Sequence, residues 1–298
     1  MQKISMNVIP RTIYGDIVGL PDPILLGITI HYYNHSDETL YMKIFGSGPS
    51  PWSSNAVELG SLASGVNAYI NLDNFLSRTR PTEALTEELT LTLKGYTDSG
   101  YSDLKYEFSR ACTIVFIKSD DGTWTTDFSD NFDDGTVQGW TAIREGWIDY
   151  LTFGVTTDYV LSTPYSCKML YSHDIGGGAG PYQIKNTLYK EFTTPNKDMV
   201  FAILNVRNDA SGSTFIKAPK YLEIKRDDVV LVHLGKLYDT NSTTYIPLKK
   251  WTRIVVPLPT NTILTAKIVL VFCLRNPSAY DMSIDISTWL DNFKIISK

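Results

Sequence analysis

Apolar and polar residues alternate along most of this chain, and that period of two predicts strands rather than helices. ILLGITIHYYN at 24–34 and LYMKIFG at 40–46 read as two strands joined by the polar turn HSDET. Further strands are expected near 57–62, 66–72, 89–96, 104–108 and 111–117. PTEALTEEL at 81–89 is the best helical candidate, because it opens on proline and carries early glutamates as a first turn prefers. The same residues read equally well as a loop entering a strand at Leu89. Beyond residue 130 the alternation resumes at 138–142, 146–154, 167–172, 184–192, 199–207, 220–226, 228–234, 251–257, 267–274 and 289–296. GGGAGP at 176–181, NDASGS at 208–213 and DTNSTT at 239–244 read as polar loops between them.

Strand number sets the expected architecture. The first part holds about seven short strands, the number of an immunoglobulin- or fibronectin-like sandwich. The second holds about ten, which suits a jelly roll of two packed sheets. Between them SDDGTWTTDFSD, 119–130, is acidic and rich in hydroxyls and reads as a connector. The expected fold is therefore all-β, with a sandwich at 1–118, a linker at 119–126 and a jelly roll at 127–298. No fixed period repeats, which disfavours a propeller or solenoid.

Composition narrows function by exclusion. The net charge of −5, with acids and bases mixed along 298 residues, argues against a nucleic-acid binder, which needs a concentrated basic surface. No apolar run is long enough to span a membrane as a helix. The opening MQKISMNVIPRTIYGD lacks the apolar core of a secretory leader. Cys112, Cys167 and Cys273 are widely spaced, so a zinc site is not expected. Two sit in apolar runs as small buried hydrophobes, and spacing leaves a Cys167–Cys273 bridge open. The triplets Asn34-His35-Ser36 and Asn241-Ser242-Thr243 fit a glycosylated exterior.

Catalytic signatures are missing: no GxSxG, HExxH or Walker-type loop occurs, and GGGAGP lacks the lysine of a phosphate cradle. No pair of acids stands out as a glycosidase couple. His31, His35, His173 and His233 are scattered, and each reads as a surface or core histidine. An enzyme is not expected.

Two bracketing segments carry a resemblance. DNFDDGTVQGW at 130–140 resembles the opening of jelly-roll carbohydrate-binding modules and their galactose-binding-like relatives. KKWTRIVVPLP at 249–259 and STWLDNFKIIS at 287–297 resemble their Trp-bearing and closing strands. The resemblance implies that the closing strand folds back beside the opening segment. It also implies a structural calcium ion held by Asp133 and Asp291, with Asp134 or nearby carbonyls as helpers. Read without the resemblance, Asp133 and Asp134 simply form a turn with Gly135. The first domain more weakly resembles adhesion-type sandwiches, on the pattern ITIHYYNHSDETLYMKIFG.

Such modules bind sugars by stacking aromatic rings on C–H faces and bonding hydroxyls with polar side chains. Trp140, Trp251 and Trp289 fall inside the fold-defining motifs and are expected in the core. Aromatics in polar surroundings are the ligand candidates: Trp147, Tyr182, Tyr238 and Tyr280, with Arg207 and Asn208 as partners. Trp52, in GSGPSPWSS, is a further exposed candidate for a domain or partner contact. The expected function is a non-catalytic surface protein that binds a glycan or cell-surface polysaccharide for adhesion or attachment. The alternative is a structural virion component (a turret, fibre or capsid-decorating protein, including those of archaeal viruses) or a filament subunit, with capsid or filament proteins as partners. Either reading places the chain on a virion surface, or outside or on the surface of a cell.

Overall fold

The computed structural model describes residues 2–145, 150–175, 182–212, 216–217, 223–226, 229–230, 236–238, 249–274 and 282–298, with backbone alone for part of them, including 144–145, 171–175, 182–186, 208, 236–238 and 265–274. The first strands are β1 (Ile4–Ile9), β2 (Thr12–Asp16), β3 (Ile24–Asn34), β4 (Leu40–Ser47), β5 (Asn55–Leu62), β6 (Asn67–Arg78), β7 (Leu85–Tyr96) and β8 (Leu104–Ile117). Then come β9 (Thr125–Asp130), β10 (Thr141–Glu145), β11 (Tyr150–Thr156), β12 (Ser166–Ile175), β13 (Tyr182–Thr193) and β14 (Val200–Gly212). The last are β15 (Ile216–Lys217), β16 (Glu223–Arg226), β17 (Val229–Val230), β18 (Lys236–Tyr238), β19 (Trp251–Pro257), β20 (Ile263–Leu274) and β21 (Met282–Ser297). The chain is all-β, and it divides into two compact units, Met1–Lys118 with Leu234–Thr243, and Ser119–His233 with Thr244–Lys298.

Unit 1 is a two-sheet sandwich. One sheet runs β1-β3 with β6 on the far side of β3, and β18 pairs with β3 at Leu25–Gly27. The other runs β2-β8-β7-β4-β5, with β2 parallel to β8 and the remaining pairs antiparallel. Alternation explains the sandwich directly. Ile4, Met6 and Val8 of β1 and Ile28, Ile30 and Tyr32 of β3 point inward. They meet Leu40, Met42 and Ile44 of β4, Leu89, Leu91 and Leu93 of β7, and Cys112, Ile114 and Phe116 of β8.

Some sequence expectations need correction here. β1 and β2 were not expected as strands, because Pro10 and Arg11 break their alternation after a few residues. PTEALTEEL forms no helix; its Leu85 already opens β7, where pairing with Phe116 overrides helix propensity. Trp52 is buried, not exposed, and its Nε1 donates to Glu87 Oε2 at 2.6 Å. The Arg78 guanidinium lies 5.6 Å from the Trp52 ring and 5.1 Å from that of Phe116, and it pairs with Glu87. Asn34 is also buried: its amide donates to the carbonyls of Glu38 and Leu62 and accepts from Ser36. Folded chain therefore does not offer Asn34 for glycosylation; Asn241 lies outside the described residues.

Unit 2 is a second sandwich. One sheet runs β10-β13-β20-β16-β17 with β15 also on β20; the other runs β11-β12-β21-β14-β19 with β9 also on β21. The stretch 119–130 is thus not all connector, since Thr125–Asp130 pairs with the chain's last strand and Trp124 packs on Phe201. β21 does fold back beside the opening segment, with Phe293 opposite Asp130. Phe293 also joins the sheets, with Phe192 of β13 at 5.6 Å and Trp140 at 5.1 Å. Trp140 and Trp289 are buried as expected, whereas Trp251 is half-buried on β19.

Cys112 and Cys167 are free, buried thiols, so Cys167 is not bridged. Burial pushes both thiols up to about 12, helped at Cys167 by the negative charge of Asp130. Both raised values mean that the folded chain holds these protons more tightly than the unfolded chain does. Their contribution to stability is complete below about pH 9 and is lost as pH climbs toward about 12. A thiol reagent at pH 8 is expected to leave both cysteines unmodified until denaturant is added. Mass-spectrometric mapping of the modified sites checks this, and labelling of either in the native protein contradicts it.

Candidate functional site

The described surface of unit 2 gathers aromatic and charged side chains at one place, around Trp289. In the register of its sheet, Gly154, Lys168, Trp289, Arg207 and Trp251 form one row across β11, β12, β21, β14 and β19. The neighbouring Cys167, Leu290 and Val206 point into the core, so this row faces outward. Lys168 Nζ lies 5.0 Å from the Trp289 ring and Arg207 Cζ 5.9 Å. Trp289 is nevertheless only 2% exposed, because the β11–β12 loop covers it.

That loop presents Tyr159. Its ring meets Trp289 edge-on at 5.1 Å, and the Arg207 guanidinium sits 3.9 Å from its centroid. Such cation–π contacts hold both groups in one geometry. Tyr159 remains 51% exposed. Beside it, Asp158 pairs with Lys168 at 3.5 Å. Arg207 Nη1 donates to the Lys249 carbonyl at 2.6 Å, while Arg207 Nε and Trp289 Nε1 have no acceptor among the described residues. The result is a half-open aromatic ring bordered by guanidinium, ammonium and carboxylate groups.

Asp291 holds the loop in place. Its carboxylate accepts from the Leu161 amide at 2.7 Å, the Ser162 amide at 2.9 Å, the Ser162 hydroxyl at 2.9 Å and the Asn292 amide at 2.7 Å. In β21 it falls between the residues paired with β12, which end at Leu290, and those paired with β9, which begin at Phe293. The side chain there bonds to the chain segment that leads into β12.

The same bonds decide how well a calcium ion suits these residues. Each Asp291 oxygen accepts two hydrogen bonds, so its four lone-pair positions are filled. Asp134 accepts from the Thr136 amide and hydroxyl, and Asp133 from the Asn131 amide. Calcium requires six to eight oxygens around one point. Asp133, Asp134 and Asp291 do not make that donor set, and no group of three or more His, Cys, Asp or Glu suited to a metal occurs among the described residues. A cation does tie the opening segment to its sheet, and it is the Lys190 ammonium. Lys190 Nζ donates to both Asp130 oxygens, at 2.9 and 2.8 Å, and to the Gln138 carbonyl. Asp130 also accepts from Trp140 Nε1 at 2.8 Å.

Of the residues expected to bind a ligand, Arg207 lies in this cluster. Asn208 follows it on β14 opposite Thr288, and Tyr182 opens β13 opposite Leu274; both are described by backbone alone. Tyr238 is not in a loop of unit 2: it ends β18, which pairs with β3 in unit 1. Trp147 and Tyr280 lie outside the described residues. Tyr159 was missed. Its signal was local, a tyrosine in the polar stretch TTDYVLSTPY, but its partners Arg207 and Trp289 are remote in sequence.

No protein-family model and no curated protein matches the chain. Among solved structures it is similar to a carbohydrate-binding module of the β-sandwich superfamily, at 12% identity and a TM-score of 0.36, covering 98% of this chain and 97% of that one. It is also similar to the K3 cleaved adhesin domain of Lys-gingipain from Porphyromonas gingivalis, at 14% identity and a TM-score of 0.28, covering 58% of this chain and 100% of that one. A third likeness is to infectious bursal disease virus, Gx strain, at 9% identity and a TM-score of 0.25, covering 93% of this chain and 59% of that one. Likenesses at this level settle neither family nor function.

Proposed function

We propose that this chain is a non-catalytic glycan-binding protein of a cell or virion surface, and that unit 2 binds through the Tyr159 cluster. The carrying observation is the ring of Tyr159, half exposed and fixed between Arg207 and Trp289 by a loop bonded to Asp291. A sugar ring would lay its C–H face on the open part of the tyrosine. Arg207 offers N–H donors to vicinal hydroxyls, and Asp158 with Lys168 offers an acceptor and a donor beside it. A preformed arrangement of this kind lowers the ordering cost of binding.

Unit 1 is read as an immunoglobulin-like module and unit 2 as a jelly roll of the galactose-binding-like type. The strand orders support these readings. In unit 1, one sheet has the parallel β2 beside β8 and then β7-β4-β5, facing a sheet of β1-β3-β6. In unit 2, the first and last strands are partners.

The test is affinity electrophoresis of the full chain in gels cast with plant and microbial polysaccharides, followed by a glycan array. Tyr159→Ala is expected to weaken the wild-type interaction by about tenfold or more, equivalent to roughly 1.4 kcal/mol. Wild-type protein that binds no polysaccharide on the panel, or binding that survives Tyr159→Ala intact, overturns the assignment.

A further inference from the structure

The outer face of the β1-β3-β6 sheet in unit 1 forms a grid fixed by register. Ser5, Tyr33 and Asn67 make one row, Asn7, His31 and Tyr69 the next, and Ile9, Thr29 and Asn71 the third. Their neighbours along the strands, Met6, Val8, Ile30, Tyr32 and the half-buried Ile70, point inward or pack on the core. The grid spans five residues, four steps, along the strands, about 13 Å, and three strands across, about 10 Å.

None of its nine positions carries an Asp, Glu, Lys or Arg, in a chain that is 20% charged. Among the described side chains, ionic residues appear only at the margins, with Lys3 paired to Asp37 at one end and Asp73 next along β6 at the other. The outer face of the other sheet of unit 1 is the opposite case. There Lys43 pairs with Glu58 and Lys94 with Glu107, each at 3.1 Å. Solvent contact alone would favour charge on both faces, and only one has it.

The uncharged side chains are ordered among themselves. His31 stacks on Tyr69 with centroids 3.7 Å apart and planes 10° apart. Asn67 Oδ1 accepts from His31 Nε2 at 3.1 Å, which leaves Nδ1 to accept from the Tyr33 hydroxyl at 2.7 Å. The Thr29 hydroxyl donates to Asn71 Oδ1 at 2.7 Å. Both asparagines thus use their carbonyl oxygen on a neighbour and keep the amide nitrogen for another acceptor. Tyr69, at the centre of its strand's outward row, is 65% exposed. His35 extends the series beyond Tyr33, stacked on that ring at 5.5 Å and bonded to Ser5. His35, just past the end of β3, thus joins the face of His31 and Tyr33 through this stack.

We infer that this face is a second saccharide-binding surface, built for an uncharged polyhydroxylated chain lying along the strands. Amide N–H groups and a phenol match hydroxyls, aromatic rings match C–H faces, and the missing ionic groups remove any preference for an anionic sugar. The inference extends the glycan reading to unit 1 and stands apart from the Tyr159 site.

The experiment uses the full chain in native gels containing xyloglucan, galactomannan or mixed-linkage β-glucan, with alginate as the anionic comparison. Wild type is expected to be retarded by at least one neutral polymer and not by alginate. Tyr69→Ala and Asn71→Asp are each expected to weaken that retardation at least fivefold. Asn71→Asp keeps an oxygen for Thr29 while replacing the amide donor by a carboxylate anion, which removes the donor and charges the face. An unchanged thermal melt confirms that the fold is kept. Retardation weakened in both of these variants supports this surface whatever Tyr159→Ala does to it, so the surface can stand even where the unit 2 site fails. Retardation lost in Tyr159→Ala alone overturns it and leaves the unit 2 site standing. Retardation by alginate only, by no neutral polymer, or a dimer in sedimentation that Tyr69→Ala dissolves also overturns it.

Discussion

Asp291→Ala is expected to destabilise unit 2 by about 3–5 kcal/mol, among the larger effects a single substitution produces. The carboxylate is 0% exposed and receives three backbone N–H groups and one hydroxyl. Removing it leaves these part-buried donors without the one carboxylate that satisfies them. Each unsatisfied buried group costs about 1–3 kcal/mol, and they share one acceptor, so the sum is not simply additive. Asp291→Asn should recover little, because it sets an amide N–H₂ against donors that need oxygen. The loss is read as a shift of the unit 2 urea midpoint. Hydrogen exchange should accelerate at Leu161 and Ser162, because the loop that carries Tyr159 loses its anchor. A loss below about 1 kcal/mol with unchanged exchange at those amides contradicts this role.

Glu87→Ala is expected to cost unit 1 a similar amount, about 3–5 kcal/mol. Its partner Arg78 has a side chain only 5% exposed and lies between the Trp52 and Phe116 rings. Without Glu87 the guanidinium becomes a buried charge with no counter-ion, and Trp52 Nε1 loses its acceptor as well. Replacing both ionic partners by apolar residues, Arg78→Met with Glu87→Leu, should recover much of the loss, because the isolated charge is what costs most. Urea denaturation of the two single variants and the double variant forms the cycle. Additive losses, or a Glu87→Ala cost under about 1 kcal/mol, contradict the account.

Fold class was legible in the sequence because alternation needs only a local window. Thr29, His31 and Tyr33 already stand on one side of their strand in the bare sequence, as do Asn67, Tyr69 and Asn71. What the sequence did not carry was register, which sets those two triplets side by side. Trp52 was misread for a related reason. Its glycines, prolines and serines suggest an exposed loop, but Glu87 and Arg78 bury it from elsewhere in the chain. Asp291 shows the limit most clearly. An acidic residue beside a closing strand suits a metal ligand, and only the fold shows Leu161 and Ser162 presenting their amides to it. Tyr159 could have been selected by the criterion that selected Tyr182, an aromatic in polar surroundings. Its pairing with Arg207 is a tertiary fact.

The measurement that bears most directly on glycan binding at the Tyr159 cluster is a glycan array probed with wild type and Tyr159→Ala at matched concentrations. Selective wild-type binding to one class of saccharide, reduced about tenfold or more in Tyr159→Ala with an unchanged thermal melt, is the predicted result. Equal signals from the two proteins, or none from wild type across the array, would contradict it.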